Sequence, residues 1–276
     1  LLVFDIIHCA PFLAYRHRRK MVYFAQADDV EYYGNPLERM IIDLFYRRFF
    51  KNKTPCITVS EALTKTFVQR YNAVNCHTVT NGINSQTFYP DPDLELLRKK
   101  ECRKAIFFMA RGDHFRKGFD IALEVLKSLP PETADRIELW VCGDSSSNIT
   151  FSFPVRQFGV VDDATLRQIL SSADIFFYPS RHEGFGLFPL EAMACGCPVV
   201  TTEAIPYASS TPAILTAAIG ALGELTAHIQ TLVHEEHIRQ QLRMLSLEVV
   251  KEYDLSTSKI YFSEKLKAIA RKTVEA

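Results

Sequence analysis

The stretch RHEGFGLFPLEAMACGCPVV, residues 181–200, follows the apolar run DIFFYPS and decides how the chain is read. DIFFYPS has the length and β-branched and aromatic content of a buried parallel strand. LFPLEAMACG reads as a helix with Pro189 in its first turn and Gly196 just past its end. RHEGFG is then a strand-to-helix loop. Loops of this kind line the ligand crevice of an open α/β sheet, which puts Glu183 at the crevice mouth. Gly184 and Gly186 let the backbone approach a ligand closely. The helix start offers unpaired N–H groups and a positive partial charge to a phosphate, and Glu191, about one turn in, can face the same ligand. Two acids beside an anion site are poor phosphate ligands, but they accept hydrogen bonds well from sugar hydroxyls. On spacing alone, a solvated Glu183 and a Glu191 that merely favours its helix remain an equal alternative.

Outward from this loop, short β-type runs alternate with helical patterns, which predicts parallel α/β layers. LVFDIIH, MVYFAQ, CITVS and HTVTNG supply strands in the first part, with amphipathic segments such as NPLERMIIDLFYRRFF between them, apolar at 40, 41, 44, 45 and 49. After the turn-rich NGINSQTFYPDPDLE the alternation restarts with AIFFMA, RIELWVCG, PVRQFG, DIFFYPS and CPVVTT. From about residue 220 the pattern is helical, and Ser256 is the expected N-cap of a last helix, STSKIYFSEKLKAIARK. The expected organisation is a partial first α/β half over 1–90, a second α/β half over 91–255, and a terminal helix over 256–276. The first half has few strands for an open sheet, and the chain opens directly on LLVFDII, so the sequence is expected to start inside a domain.

Composition narrows the function classes. The 276 residues are 47% hydrophobic, and 32 basic residues balance 32 acidic ones. No overall field draws this chain to nucleic acid, so an anionic ligand has to be caught locally. No apolar run approaches the roughly 20 residues of a spanning helix. Seven cysteines without paired-ligand spacing read as buried thiols in a reducing compartment, and Cys195 and Cys197 in ACGC lack partners for zinc. The basic run RHRRK at 16–20 is a solvated helix end or a contact for an anionic membrane surface.

EGFGLFPLEAMACGCPVV resembles the E-x7-E signature of retaining glycosyltransferases of the GT-B fold, family 4. ARGDHFRKGFDIALEVLKSL is similar to that family's basic donor loop and following helix, NGINSQTFYP to its interdomain segment, and GVVDDATLRQILSSADIFFYPS to the stretch leading into the signature. The resemblance covers nearly all of the chain and is strongest over 78–200. It implies two Rossmann-like parallel-sheet domains facing a cleft, a partial N-terminal acceptor-side one over 1–90 and a C-terminal nucleotide-sugar-binding one over 91–255, with the helix over 256–276 packing back across them. It also implies transfer of a hexose or deoxyhexose from a nucleotide-diphosphate donor to a glycan or lipid-linked acceptor, in cell-surface polysaccharide synthesis. The implied location is the cytoplasm, with peripheral contact at the inner face of the membrane.

By the same resemblance Arg111 and Lys117 hold the donor diphosphate and stabilise the departing nucleotide. Glu191 takes the ribose hydroxyls and Glu183 lies near the transferred sugar. Gly184 and backbone groups of Phe185, Gly186 and Leu187 contact sugar and phosphate, and Val160 and Val161 carry the nucleobase. The family's chemistry needs no metal and no Asp-x-Asp motif, and DPD at 91–93 is a linker turn. FDIIHC resembles the family's strand ending in histidine, which makes His8 a candidate near the acceptor side. Where the family often has a histidine, MVYFAQADDVEYY presents Gln26, which cannot exchange a proton, so Asp28 or Asp29 is the candidate acceptor base. That segment is similar to rhamnosyltransferase-like members. Two departures stand out: the glycine-rich acceptor loop is missing, and EAIPYASSTPAILTAA replaces a longer loop after VVTT. The alternatives are another GT-B enzyme, such as an epimerase, and a non-catalytic sugar-nucleotide-binding subunit.

Overall fold

The computed structural model describes residues 2–5, 7, 21–110, 115–143 and 150–274, the side chains of 273 and 274 excepted. Two compact units are formed, one by Leu1–Gly82 with Leu255–Ala276 and the other by Ile83–Asp254.

In the first unit the described residues form a parallel sheet in the order β1 (Leu2–Phe4), β2 (Met21–Ala25), β3 (Cys56–Thr58), β4 (Cys76–Thr78). Helix α1 (Pro36–Phe50) starts behind Asn35, whose side chain accepts from the Leu37 N–H, with Pro36 in the first turn. Helix α2 (Glu61–Tyr71) is capped by Ser60 and ends at Asn72, which is left-handed. The stripe of α1 that faces inward is Ile42, Tyr46, Phe49 and Phe50, while Met40, Ile41 and Leu44 are exposed. The apolar positions read from sequence therefore sit mostly on the outer face. An aromatic cluster explains the choice: Tyr23, Tyr46, Phe50, Phe67 and Tyr71 are fully or almost fully buried, Tyr46 and Tyr71 stacking at 4.6 Å between ring centres. Val22, Ile57 and Val79 pack with Ile269 of the last helix, α10 (Leu255–Val274), and Phe24 meets Phe262 edge-on at 5.2 Å. That helix starts at Leu255, so Ser256 lies inside its first turn instead of capping it.

The second unit contains α3 (Leu94–Lys99), β5 (Lys104–Ala110), α4 (Phe119–Lys127), α5 (Pro131–Ala134), β6 (Ile137–Gly143), β7 (Val155–Gly159), α6 (Asp163–Ser172), β8 (Ile175–Tyr178), α7 (Leu187–Ala194), β9 (Val199–Thr202), β10 (Ile214–Ala217), α8 (Leu222–His234) and α9 (Glu236–Val249). Its parallel sheet runs β10-β9-β8-β5-β6-β7. Strands β5, β6, β8 and β9 are buried almost end to end, as expected of a sheet covered on both faces. Strand β10 lies within EAIPYASSTPAILTAA, which reads from sequence as a loop after VVTT and not as a strand. One face of the sheet is filled by Ile106, Phe108, Val125, Val141, Phe177 and Leu232 among others. Phe107, Phe176 and Tyr178 stack in series at 5.7 and 5.5 Å.

Of the cysteines described, Cys56, Cys142, Cys195 and Cys197 are buried as expected. Cys76 is half-buried and Cys102 exposed, so these two depart from the reading of the cysteines as buried thiols.

Candidate nucleotide-sugar site

From β5 the chain winds outward through β6 to β7, then returns to the other side of β5 and winds through β8 and β9 to β10. The order reverses between β5 and β8. At such a switch point the two loops leaving the strand ends diverge and open a crevice. The loop after β5 carries Lys117 and the loop after β8 carries Glu183, so the two charges come from the two loops that leave this switch point.

The two loops are laced together. Glu183 Oε1 pairs with Lys117 Nζ and accepts from the hydroxyls of Tyr178 at 2.8 Å and Ser180 at 3.3 Å. Both charged side chains are only about a tenth exposed, 12% for Lys117 and 11% for Glu183. Lys117 Nζ also lies 5.5 Å from the Tyr178 ring centre and 6.0 Å from that of Phe188. Burial, and then the neighbouring Glu183 charge, push the Tyr178 hydroxyl far above its ordinary pKa, so it acts here as a donor.

Gly118 explains how Lys117 reaches this place. It has φ +71° and caps α4, and a Cβ there would lie 1.8 Å from the Pro179 carbonyl oxygen. Only glycine lets the loop after β5 come this close to the end of β8. Arg181 secures the same crossing. Its N–H donates to the Arg116 carbonyl at 2.8 Å and Nη1 to the Phe115 carbonyl at 2.6 Å, while its guanidinium grips Asp120 through both oxygens at 2.6 and 2.7 Å. The hydrogen bonds of this pair hold the Asp120 carboxyl below its ordinary range and raise the Arg181 pKa. The guanidinium also lies over the exposed Phe115 ring, 4.1 Å from its centre.

Beyond Glu183, Gly184 and Phe185 are buried and Gly186 caps α7 with φ +94°. Its carbonyl accepts from the Tyr207 hydroxyl at 2.6 Å, and a Cβ on Gly186 would meet Ile205 Cδ1 at 2.8 Å. Leu187, the first helical residue, is exposed. Phe185, Tyr207 and Tyr253 pack ring to ring at 5.2, 6.0 and 5.5 Å beneath this turn. Glu191, on the second turn of α7, is half-buried. Tyr207 is raised well above its ordinary pKa by burial, then by Tyr253, Glu183 and Glu191, so both acids lie within electrostatic reach of one hydroxyl.

The structure thus brings together Lys117, Glu183, Gly184, Phe185, Gly186, Leu187 and Glu191. Val160, exposed, and Val161, half-buried, follow β7, two strands from β5. Arg111 and His8 lie outside the described residues. Asp28 belongs to the first unit and is 2% exposed. It accepts from the Tyr71 hydroxyl at 2.8 and 2.9 Å, from Arg70 at 3.1 Å and from the Val30 N–H at 3.2 Å, capping a 3-10 turn. Burial raises its pKa against these contacts. Gln26 is exposed and donates to Asp5 at 3.1 Å.

Sequence reading had no role for Tyr178, Ser180, Arg181, Asp120 or Tyr207. Position at a strand end would have suggested Ser180 and Arg181. Nothing local marks Tyr207, which reaches the loop from 21 residues away. Among the described residues no group of three or more His, Cys, Asp or Glu could hold a metal ion, and no helix is long and apolar enough to cross a membrane.

Residues 103–235 match the family described as Glycosyl transferases group 1. The phosphatidyl-myo-inositol mannosyltransferase of Mycobacterium leprae (strain TN) is 30% identical over 132 residues, which is 45% of this chain and 34% of that protein. This chain therefore spans about a third of the length of that curated relative. Among solved structures, sucrose-phosphate synthase from Thermosynechococcus elongatus superposes with TM-score 0.81 at 16% identity, over 98% of this chain and 73% of that one. Anabaena Alr3699/HepE in complex with UDP-glucose superposes at 0.77 and 18%, over 95% and 76%. At these identities the structural likeness speaks to the fold. Residues 103–235 are a Glycosyl transferases group 1 domain, carried on a GT-B fold.

Proposed function

We propose that the protein is a retaining, family 4 glycosyltransferase that moves a sugar from a nucleotide-diphosphate donor to a glycan or lipid-linked acceptor in cell-surface polysaccharide synthesis. The observation that carries this reading is the Lys117–Glu183 pair at the switch point, beside a glycine-capped helix start with Glu191 one turn in. A structural neighbour with UDP-glucose bound supports the donor class.

In this reading Lys117 and Arg111 neutralise the diphosphate as the bond to the anomeric carbon breaks, which stabilises the developing charge on the leaving group. The acceptor hydroxyl attacks from the face the leaving group vacates, and its proton passes to the departing phosphate. Lys117 exchanges its contact with Glu183 for phosphate oxygens, so that Glu183 turns to the hydroxyls of the transferred sugar. Glu191 accepts from the ribose hydroxyls, and Val160 and Val161 support the base. The Tyr178, Ser180 and Arg181 contacts hold both loops in place before ligand arrives, which lowers the ordering cost of binding. The reaction as proposed takes no metal, and the enzyme works in the cytoplasm at the inner face of the membrane.

The test is the melting temperature of the chain with UDP, GDP, dTDP and ADP in turn, beside Lys117→Ala and Glu191→Ala. A nucleotide at a hundred times its dissociation constant adds about 2.7 kcal/mol of stability. A shift with one nucleotide, lost in both variants, is the expected result and names the base. Cooperative melting with no shift from any of the four overturns the donor site. Binding without donor hydrolysis or transfer would instead make the protein a non-catalytic sugar-nucleotide-binding subunit.

A further inference from the structure

Far along the sequence from the donor loops, β3 and β4 set two cysteines side by side. Cys56 and Cys76 are directly opposite in the parallel register, so their side chains leave the sheet on the same face, beside one another. Neighbouring strands lie about 4.7–4.9 Å apart, inside the roughly 4.4–6.8 Å between Cα atoms that a disulfide spans. No strand has to move far for the two sulfurs to join.

The pair is asymmetric. Cys56 is fully buried and Cys76 half-buried on the edge strand β4. Three threonine hydroxyls line the same face: Thr58 bonds to Thr64, and Thr64 to Thr78 at 2.6 Å. The neighbouring Cys56 side chain holds the Cys76 thiol below its ordinary range; burial opposes this, and the hydroxyls of Thr64 and Thr58 assist. Burial pushes Cys56 well up. It also raises Cys142 to about 12 and Cys195 to about 12, and pushes Cys197 above the ordinary thiol range. A thiolate donates to an oxidant and a thiol does not, so these three are poor competitors. Among the described residues Cys102 is exposed and is the competitor that matters.

We propose that Cys56 and Cys76 form a peroxide-oxidised thiol pair, with Cys76 the attacking sulfur and Cys56 the resolving one. The Cys76 sulfur takes one oxygen of hydrogen peroxide; the O–O bond breaks, and the departing hydroxide leaves as water, giving a sulfenic acid. The Cys56 sulfur then attacks the Cys76 sulfur. The S–S bond forms, the S–O bond breaks, and the hydroxyl leaves with the Cys56 proton as a second water. Two electrons pass from the two thiols to one peroxide, which closes the balance. The inference stands apart from the glycosyltransferase reading, since no residue of the donor loops takes part.

The test treats the full chain with about one equivalent of hydrogen peroxide, then blocks remaining thiols by alkylation under denaturing conditions and maps peptides by mass. The expected product joins the Cys56 and Cys76 peptides with the loss of two hydrogens, while Cys142, Cys195 and Cys197 stay alkylatable. In Cys56→Ala a sulfenic acid at Cys76 becomes trappable by dimedone, and in Cys76→Ser Cys56 survives as a thiol. Oxidation that collects at Cys102 with the Cys56 and Cys76 peptides still reduced overturns the proposal, as does oxidation of Cys56 in a folded Cys76→Ser protein. The wild-type map decides the matter even if a variant fails to fold.

Discussion

Glu183 and Asp28 are both carboxylates just past the end of a parallel strand, one in each unit, and both receive a cation and a tyrosine hydroxyl. Their neighbours nevertheless use them differently. The contacts of Asp28 come from α2 and from the turn it caps, all elements of its own fold, and the side chain is 2% exposed. Glu183 takes its cation from a separate loop, one delivered by a backbone crossing that only glycine allows. A strand-end acid held by secondary structure behaves as part of the core, whereas one held across a switch point is, in the function proposed, placed for a ligand. The contrast predicts that stability follows Asp28 and the Gly118 crossing, and that ligand response follows Glu183.

The largest effect is expected at the crossing. Gly118→Ala puts a Cβ against the Pro179 carbonyl and demands a left-handed alanine, and should lower stability by roughly 3–5 kcal/mol. The midpoint of denaturant unfolding measures this. A midpoint within error of wild type would mean that the two loops are not held against each other as described.

Asp28→Ala comes next. It leaves Tyr71, Arg70 and the Val30 N–H without their buried acceptor, at a cost of about 2–4 kcal/mol. Asp28→Asn keeps a capping acceptor and should cost about 1 kcal/mol. The folded state raises the Asp28 pKa from its ordinary 3.8, so its favourable contribution is complete below that value and is lost as pH rises through the folded pKa. Asp28→Asn should therefore flatten this part of the pH–stability curve. An Asp28→Ala protein as stable as wild type would erase the distinction between the two acids.

Glu183→Gln sharpens the comparison from the other side. An amide oxygen can still accept from Tyr178 and Ser180, and only the pairing with Lys117 is lost. Stability should change by about 1 kcal/mol or less. Sugar transfer should fall by at least tenfold, with nucleotide-induced stabilisation largely kept, as assays of turnover beside melting curves would show. A large stability loss with little change in turnover would make Glu183 a second Asp28.

How far the sequence carried the reading depends on where the deciding contacts lie. Strands β5 to β9 and helix α7 were legible because their signals are local: apolar runs of strand length, Pro189 inside a helix and glycine at its start. Strand β10 was not, since it sits in EAIPYASSTPAILTAA, which reads as a loop after VVTT, and only its pairing with β9 makes it a strand. The Glu183 loop could be placed at a crevice from the succession of strand, loop and helix alone. Its partner hydroxyls, and the grip of Arg181 on Asp120 from 61 residues away, are products of packing. Asp28 shows the reverse: acidic turn residues in QADDVEYY suggest chemistry, and the buried Tyr71 that surrounds one of them comes from a helix 43 residues on.

The smallest expected effect lies at Asp120 and tests whether the clamp on the donor loop is electrostatic or geometric. Its carboxylate meets Arg181 bidentately, yet its side chain is 56% exposed, so solvent screens the pair and Asp120→Asn should cost no more than about 0.5–1 kcal/mol. The hydrogen bonds from Arg181 depress the folded pKa of Asp120. Its contribution is therefore present above the ordinary value of 3.8 and is lost as pH falls through the lowered folded value. Wild type and variant should differ near neutral pH and converge in acid, as melting temperatures across that range would record. Arg181 also reaches the Phe115 and Arg116 carbonyls and lies over the Phe115 ring, none of which depends on Asp120. Asp120→Asn should accordingly leave nucleotide binding almost intact, while Arg181→Ala, which removes the guanidinium and with it every side-chain contact, weakens it. Equal losses in the two variants would mean that the charge pair, and not the carbonyl stitching, holds Lys117 in place.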